Sequence, residues 1–516
     1  MIKESKILLY LDFIISRREI FMKISEIFDL GVSQIQLDFV DIDIENDYPL
    51  YIDPYLISQY NDLWSARVDR TIKNFFSKVS ECIRKQEYDK AIELFQFMSE
   101  PKETCLGVSS KGTKNGKGVG EDNASKIIEE IIESKAIENN IVNNIEDIIV
   151  FVDDIDKDKL SDMTTNIIRK HLIDYTKLQC NIWGIPLRRG KSSPYWNPNI
   201  EAWDKSSEDL LFYEDRYLLL VPKGIVSSIN LLNAQKYDWH FVVTRERDEH
   251  LRRRSSLVKY KKYKNGKERY YLPKKDVYDY IGDKVKCGEY NSRKDFLRQY
   301  TIKNPELFLD FKNEFGKKIS SLSNEEFMEY TGYIDIKVLI DTLIANLNNI
   351  NTGKSHALKY HKFIKSILEI LFYPSLIRPT IEKNVHQGRK RVEVTMSNVS
   401  LKGFFHNLQT INKIPCPIVY IECRNTNEEV TNPDLNQLSD RLNLNKGKFG
   451  ILMCRKIEEK KLFYKRCSNI FKEDQDFILP LDDGDIISML EFIKYDEENK
   501  IEEKLEDIKK QIISNG

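Results

Sequence analysis

The chain has 516 residues, longer than one typical domain, so we expect two or three domains with apolar cores. Its 80 basic side chains balance 81 acidic ones, which excludes bulk attraction to polyanions and leaves only local basic clusters. The N-terminal apolar run is interrupted by Asp12, which argues against a membrane span or secretory signal, and we expect a cytoplasmic protein without membrane contact. The eight cysteines form no C-x-x-C pair, which argues against a zinc ribbon or disulfide scaffold and predicts unpaired, mostly buried thiols.

Residues 1–245 are predicted to form an N-terminal α+β domain with a recognition or sensor role. Residues 35–42 are typical of a strand. Over 68–97, apolar side chains recur at three- and four-residue spacing, which predicts helices. The apolar stretches 208–222 and 239–244 fit either strands or buried helices, and they close the domain.

A glycine-rich segment, LGVSSKGTKNGKGVG, occupies residues 106–120. One interpretation is a phosphate cradle, because glycine lets backbone N–H groups approach an anion and a helix is predicted to follow. The alternative is a plain flexible surface loop. The segment contains no G-x-x-x-x-G-K-[ST] string, so it does not predict a P-loop NTPase.

Residues 246–350 form a middle region that is first basic and then helical. In the basic stretch, lysines and arginines are interleaved with tyrosines, a composition that can neutralise phosphates and stack on exposed bases. The alternative is a solvated hairpin around Asn265-Gly266, a strong turn dipeptide. Over 296–350, apolar side chains at helical spacing predict core helices. The residues predicted to contact nucleic acid are Arg252, Arg253, Arg254, Lys259, Lys261, Lys262 and Tyr263.

Residues 351–495 carry the most regular pattern of the chain. A helix is predicted over 356–372, followed by strands over 377–383 and 389–396. A buried strand in PIVYIECRN, a helix in PDLNQLSDRLNL and a second buried strand in FGILMCR follow in that order. Residues 496–516 are predicted to add an amphipathic C-terminal helix.

The order helix, strand, strand, strand, helix, strand is combined with two short motifs. One strand ends in E-C-R-N, and the next helix begins N-P-D-L-N-Q-L. Order and motifs together resemble the PD-(D/E)XK nuclease superfamily, and more closely its bacterial restriction-endonuclease-like proteins. The resemblance implies an α/β C-terminal restriction-endonuclease-like core, in which a central mixed sheet is flanked by helices, behind the N-terminal α+β domain.

The resemblance also implies a metal site. Glu393 on the second strand and Glu422 on the third take the positions of acidic metal ligands, and the backbone carbonyl of Cys423 would add a third oxygen. Phosphodiester hydrolysis needs a hard cation held by oxygen atoms, because the cation polarises the phosphoryl group and lowers the pKa of the attacking water. The expected ion is Mg²⁺ or Mn²⁺.

Three further positions complete the implied catalytic set. Arg424 stands where the superfamily has lysine, Gln437 matches the glutamine of the following helix, and Glu369 matches an acidic residue of the preceding helix. Arginine can stabilise negative charge, but it stays protonated and cannot exchange a proton with water. A neighbouring base, such as Lys390 or Lys448, would have to take over that task.

Each predicted site residue also has an ordinary structural interpretation. Glu393 could belong to a ladder of surface ion pairs, and Glu422 with Arg424 could be a strand-end ion pair. Gln437 could be a solvent-exposed helix residue. The metal-site interpretation is favoured because these residues occur together, in the element order that the resemblance implies.

The favoured function is a magnesium-dependent endonuclease that hydrolyses phosphodiester bonds of DNA, with RNA not excluded. The resemblance implies a role in bacterial restriction or antiviral defence. One alternative is a catalytically inactive nucleic-acid-binding protein that retains the nuclease-like fold. Another is a sensor activated by a partner through its N-terminal domain. A homo-oligomer or a partner protein is compatible with all three.

Overall fold

The protein contains two clusters of buried apolar side chains. Most of the first lies between Ile24 and Phe327, joined by Tyr373, Ile377 and Val399, and most of the second lies between Ile340 and Ile512, joined by Ile35, Ile182 and Met328. We refer to residues up to 331 as the first part of the chain and to residues from 332 onward as the second part. The structure is a computed structural model. It describes residues 22–107, 119–228, 232–265, 267–316, 321–383, 392–444 and 446–514, without the side chains of 119–125, 382–383 and 392–393.

The first part is mostly helical. Helices within 68–97 and 296–350 are confirmed, 208–222 contains strands, and 239–244 continues a π-helical turn (Asp238–Val242) into a helix. The helices are α1 (Ile24–Ile27), α2 (Pro54–Gln59), α3 (Leu63–Arg84), α4 (Tyr88–Leu94), α5 (Val119–Ser134), α6 (Ile148–Phe151), α7 (Lys157–Trp183), α8 (Ala234–Tyr237), α9 (Val243–Arg253), α10 (Lys274–Lys286), α11 (Arg293–Lys303), α12 (Pro305–Gly316) and α13 (Asn324–Thr331).

Small antiparallel sheets accompany these helices. Each is too small to enclose a core of its own. The sheets pair β1 (Tyr51–Ile52) with β7 (Val226–Ser227), β2 (Arg188–Lys191) with β5 (Ser207–Tyr213) and β6 (Arg216–Leu218), β3 (Tyr195–Asn197) with β4 (Ala202–Asp204), and β8 (Lys259–Lys262) with β9 (Glu268–Tyr271).

The strand predicted over residues 35–42 is wrong. The segment begins in a 3₁₀ helix (Gln34–Gln36) and then makes one isolated bridge, between Phe39 and Pro222. The two hydrogen bonds of this bridge run from the Val40 N–H to the Val221 carbonyl at 3.0 Å and from the Lys223 N–H to the Asp38 carbonyl at 2.8 Å. The ladder goes no further, because the Ile42 N–H turns back to the Val40 carbonyl and Pro222 is followed directly by a 3₁₀ helix (Lys223–Ile225). The local pattern was strand-like, but the backbone partner that the fold supplies does not support a strand.

The second part is built around a five-stranded mixed sheet, so the chain as a whole is mixed α/β. The strands lie in chain order. The first pairs antiparallel with the second, and the second antiparallel with the third, whereas the third, fourth and fifth pair in parallel. They are β10 (Leu376–Lys383), β11 (Val392–Asn398), β12 (Ile418–Arg424), β13 (Phe449–Cys454) and β14 (Phe477–Asp482). Every residue of β13 and β14 is buried, which explains their continuous apolar sequence.

Seven helices surround this sheet in the described residues. The helices predicted over 356–372 and 496–516 are confirmed, and the one predicted in PDLNQLSDRLNL ends early, at Ser439. The helices are α14 (Ile336–Asn348), α15 (Ala357–Phe372), α16 (Gly403–Thr410), α17 (Asn432–Ser439), α18 (Lys460–Asp474), α19 (Asp483–Lys494) and α20 (Asn499–Ser514).

Buried polar contacts join the two parts. Gln36 Nε2 donates to Ser366 Oγ at 3.1 Å, and the backbone N–H of Arg378 donates to Asp38 Oδ1 at 2.7 Å. The Arg378 guanidinium forms an ion pair with Asp62 at 2.5 Å. Because these groups are buried, each needs its partner across the interface, and the two parts are therefore held in a specific arrangement.

Within the described residues, no helix has the length and apolar character that crossing a bilayer requires. All eight cysteines are free thiols, and all except Cys287 are buried. The prediction of unpaired, mostly buried cysteines is confirmed.

Candidate active site

The end of β12 carries the predicted acidic residue and the arginine that follows it. Side chains alternate along a strand, so Glu422 and Arg424 share one face of the sheet, whereas Ile421 and Cys423 lie on the other. Helix α17 covers the Glu422 face, because Gln437 contacts both Glu422 and Arg424. The predicted Glu422, Arg424 and Gln437 are therefore brought together by a strand end and the helix that follows it.

Five side chains form a connected polar cluster here, which we call the Glu422 cluster. Glu422 is buried; its Oε1 accepts a hydrogen bond from Gln437 Nε2 at 3.3 Å, and its Oε2 forms an ion pair with Arg441. Arg424 Nη2 donates to Gln437 Oε1 at 2.6 Å and lies 3.0 Å from Asp434 Oδ1. Two carboxylates face two guanidinium groups, so the cluster balances its charge internally.

Asp434 and Arg441 were missed in the sequence, although a signal for them exists. Asp434, Gln437 and Arg441 follow one another at three- and four-residue spacing, which places them on one side of α17 and its C-terminal extension. Asp434 Oδ2 also accepts from the backbone N–H of Thr431 at 3.0 Å, at the start of the helix. Its carboxylate therefore caps α17 and orients Arg424 at the same time.

The backbone register brings Glu393 next to this cluster. Strands β11 and β12 pair Val394 with Ile421, and one further step along the same register reaches Glu393 and Glu422. On its other side, Glu393 pairs with Glu382 of β10. Glu382 and Glu393 thus form a row that extends toward Glu422, one residue past the last pair of β11 and β12. The side chains of Glu393 and Glu382 lie outside the described residues.

The metal prediction depends on that row. Among the described side chains, no group of three or more His, Cys, Asp or Glu could hold a metal ion. The carboxylates of Glu422 and Asp434 are each paired with an arginine, so Glu393 would have to add oxygen ligands for a hard cation. The Cys423 carbonyl accepts a hydrogen bond from His361 Nε2 at 2.9 Å, which leaves it a second lone pair.

The structure does not bring Glu369 to Glu422. His361, Lys365 and Glu369 share one face of α15 through their four-residue spacing. His361 contacts β12 at Cys423, whereas Glu369 is two turns, about 12 Å, farther along the helix. Glu369 is buried and forms an ion pair with Lys365 at 3.0 Å. It therefore lies at the interface with the first part of the chain.

This position of Glu369 makes stability depend on pH. Burial raises the pKa of Glu369 from 4.5 to about 7, although Lys365 and Lys223 lower it, and Asp38 adds to the rise. Between these pH values the folded protein keeps a proton that the unfolded chain releases, so stability is lost as pH rises through the window. As the pH rises from about 4.5 to about 7, we expect the free energy of unfolding to fall by up to about 3 kcal/mol more in wild type than in Glu369→Gln.

Urea denaturation at a series of pH values measures this difference. Glu428 is an exposed glutamate, and Glu428→Gln serves as the matched control that keeps the wild-type pH dependence. A Glu369→Gln variant with the same pH dependence as wild type would contradict the prediction.

Lys448, one of the two lysines predicted as alternative bases, lies away from Glu422. It precedes β13 and forms an ion pair with Asp476 at 2.6 Å. Because Glu422 is paired with Leu452 in the parallel register, Lys448 is four residues, about 13 Å, from it along the sheet. The prediction for Lys448 is therefore wrong, and Lys390 lies outside the described residues.

The residues predicted to contact nucleic acid are close to one another in the first part of the chain. Three stand at the end of α9, and the others lie on β8 or directly after it; all are exposed. The predicted hairpin is confirmed, because β8 and β9 pair antiparallel. Nucleic-acid binding stays a prediction. The seven residues are Arg252, Arg253, Arg254, Lys259, Lys261, Lys262 and Tyr263.

Most of the glycine-rich segment, residues 108–118, lies outside the described residues. The phosphate cradle and the plain loop therefore both stay predictions.

Comparison with known proteins gives one match. Residues 29–233 match the model of a family described as a domain of unknown function (DUF8370). The matched region spans α2 to α7 and β1 to β7, ends before the β8–β9 hairpin and contains no residue of the Glu422 cluster. Neither the curated proteins nor the solved structures gave a match. A functional proposal must therefore rest on the chemistry of the residues.

Proposed function

We propose that residues 351–495 form a restriction-endonuclease-like domain of the PD-(D/E)XK type, and that the protein is a cytoplasmic metal-dependent endonuclease acting on DNA. The observation that carries the proposal is the register of β11 and β12: their last pair is Val394 with Ile421, and Glu393 and Glu422 are the next residue on each strand, beside Arg424 and Gln437. The order α15, β10, β11, β12, α17, β13, with α16 inserted between β11 and β12, supports it. A role in bacterial restriction or antiviral defence rests on the sequence resemblance alone.

The proposed roles follow from charge and contact. A bound Mg²⁺ or Mn²⁺ would polarise the phosphoryl group and lower the pKa of the attacking water. Glu393 and Glu422 would hold the cation through carboxylate oxygens. Arg424 and Arg441 present guanidinium groups that offset negative charge developing on the phosphoryl group. Gln437 donates to Glu422 and accepts from Arg424, so it orients both side chains.

The same arginines favour a second candidate function. Both carboxylate oxygens of Glu422 already have partners, Gln437 and Arg441, and a cation would have to compete with them. Arg424 cannot act as a base. A protein that binds nucleic acid without cutting it accounts for these contacts. So does one in which a partner molecule draws Arg441 away from Glu422 and thereby activates the site.

Cleavage assays on plasmid DNA, linear DNA and single-stranded RNA separate the two candidates. We expect the wild-type protein to cut in Mg²⁺ or Mn²⁺ and to be silent in EDTA. Binding without cleavage in any metal would replace the nuclease proposal with the second candidate. A protein that neither binds nor cuts would overturn both.

Arg424 variants test the substituted lysine position. Arg424→Met removes the group that bonds Gln437 at 2.6 Å and offsets charge, so we expect cleavage to slow at least about 100-fold. Arg424→Lys keeps the positive charge, and its single-turnover rate should stay within about tenfold of wild type. Arg188 is exposed and distant in sequence, and Arg188→Met is the control. Equal rates for Arg424→Met and wild type would remove Arg424 from the proposed site.

A further inference from the structure

The hairpin of β8 and β9 has no buried side. All eight residues of its two strands are exposed. An isolated two-stranded hairpin is marginally stable, and this one is anchored at its base. Lys259 forms an ion pair with Asp276 of α10 at 2.5 Å, and the Arg254 guanidinium lies 4.6 Å from the centroid of the Tyr270 ring. The hairpin therefore projects from the first part of the chain with both faces open to solvent.

Exposed tyrosines mark this hairpin. Tyr260 is 48% exposed and Tyr270 43%, and these two residues pair across the strands with their ring centroids 5.2 Å apart. Tyr263 and Tyr271 are also exposed. Aromatic side chains contribute most when buried, so four open rings on one small element do not serve the core of this protein.

The charge of the hairpin is unfavourable for the free protein. Residues 259–271 contain six basic side chains and one acidic side chain. Lys261 pairs directly with Arg269 across the strands, and like charges in that position destabilise a hairpin. A polyanion bound along the ribbon would offset this repulsion, because its phosphates would lie between the two cations.

We propose that this hairpin binds nucleic acid whose bases are unpaired and holds the strand at the surface of the protein. The inference rests on the proposed function for its nucleic-acid class and adds the kind of strand. Tyrosine rings stack on bases that are free on at least one face, whereas the bases of a duplex already stack on each other. An anionic membrane surface fits less well, because residues 259–271 contain no aliphatic side chain to insert into lipid.

Fluorescence anisotropy with the full chain in EDTA tests the proposal without interference from cleavage. The probes are a labelled single-stranded DNA, a single-stranded RNA of the same sequence and the corresponding DNA duplex. We expect Tyr260→Ala/Tyr270→Ala to weaken single-strand binding at least about tenfold and duplex binding less than about threefold. The control is Tyr333→Ala/Tyr495→Ala, which removes two tyrosines that are 84% and 62% exposed elsewhere.

A second variant tests how much the positive charge of the hairpin contributes to binding. Lys261→Gln/Arg269→Gln should reduce the slope of log affinity against log salt by about 1.4 for single strands, since each lost phosphate contact removes about 0.7. Circular dichroism verifies that each variant is folded.

Unchanged single-strand binding by the tyrosine variant, or an equal loss on duplex, would overturn the proposal. Binding to phosphatidylserine vesicles that depends on the same tyrosines, without nucleic-acid binding, would overturn it in favour of a membrane contact. Single-strand binding that depends on the tyrosines supports the proposal even if the protein never cuts. Cleavage without any effect of the tyrosine variant on binding leaves the nuclease proposal intact and removes this one.

Discussion

Replacing Arg378 with methionine is expected to lower the free energy of unfolding by about 3–5 kcal/mol. Arg378 is buried, and its Nη2 lies 2.5 Å from Asp62 Oδ1 and donates to Ser65 Oγ at 3.3 Å. Methionine keeps the aliphatic volume but leaves the buried Asp62 carboxylate without an opposite charge. Urea denaturation followed by tryptophan fluorescence measures the change, since the guanidinium lies 4.7 Å from the Trp64 ring centroid.

The Asp62 carboxylate provides an internal check on this prediction. Burial raises its pKa, but Arg378 and hydrogen bonds from Ser65 outweigh burial and hold it below its ordinary value. Arg378→Met/Asp62→Asn removes the uncompensated charge and should recover part of the lost stability. Arg188 is exposed and 3.7 Å from Asp215, so Arg188→Met should cost less than about 1 kcal/mol. A loss as small as that in Arg378→Met would contradict the prediction.

Glu422→Gln is expected to slow metal-dependent cleavage by about 1,000-fold or more, equivalent to roughly 4 kcal/mol of activation free energy. The substitution keeps the shape of the side chain and its contact with Gln437, but it removes the charge that would hold a cation. Single-turnover cleavage in Mg²⁺ measures the effect. A parallel titration with Mn²⁺ should show weaker metal binding than in wild type, because one anionic ligand is lost.

Glu428→Gln is the matched control for Glu422→Gln, since it removes an exposed carboxylate from the same part of the chain. Its cleavage rate should equal that of wild type. Wild-type cleavage by Glu422→Gln would show that the Glu422 cluster is not the reaction centre, whatever activity the protein has. A loss that accompanies unfolding would be visible in the urea midpoint and would point instead to the ion pair with Arg441.

The elements of the second part were largely predictable, because short-range patterns specify them. The strand in PIVYIECRN appears as β12, the run FGILMCR appears as β13, and the helix over 356–372 appears as α15. Continuous apolar runs of this length fit strands that are buried on both faces. The hairpin of β8 and β9 was predictable for a similar reason, because a strong turn dipeptide lies between two short strands.

The candidate site was partly predictable. Glu422, Arg424 and Gln437 were chosen from sequence motifs, and they are in contact. Asp434 and Arg441 were missed, although their spacing from Gln437 on α17 indicates one helix face. Asp434 lies inside the N-P-D-L-N-Q-L motif and Arg441 just after it, but nothing in the local sequence states that this face of the helix lies over the end of β12.

The amino-acid sequence alone specifies the periodic patterns. These are the helix faces of α15 and α17, the apolar runs of β12 and β13, and the basic hairpin of β8 and β9. Periodicity cannot tell which neighbour covers a face. The resemblance implied a place for Glu369 in the site, but α15 carries it to the interface with the first part of the chain, near Asp38 and Lys223.

Contacts between distant residues account for what the local patterns could not. Residues 35–42 fail to form a strand because their partner segment turns into a 3₁₀ helix directly after Pro222, so only one bridge forms. Arg378 adopts a positive φ of 52°, next to a bulge in β10, and reaches Asp62 more than three hundred residues away in the chain. A buried polar or charged group needs a hydrogen bond or an opposite charge. Which groups become buried, and which partners lie within reach, depends on the whole fold.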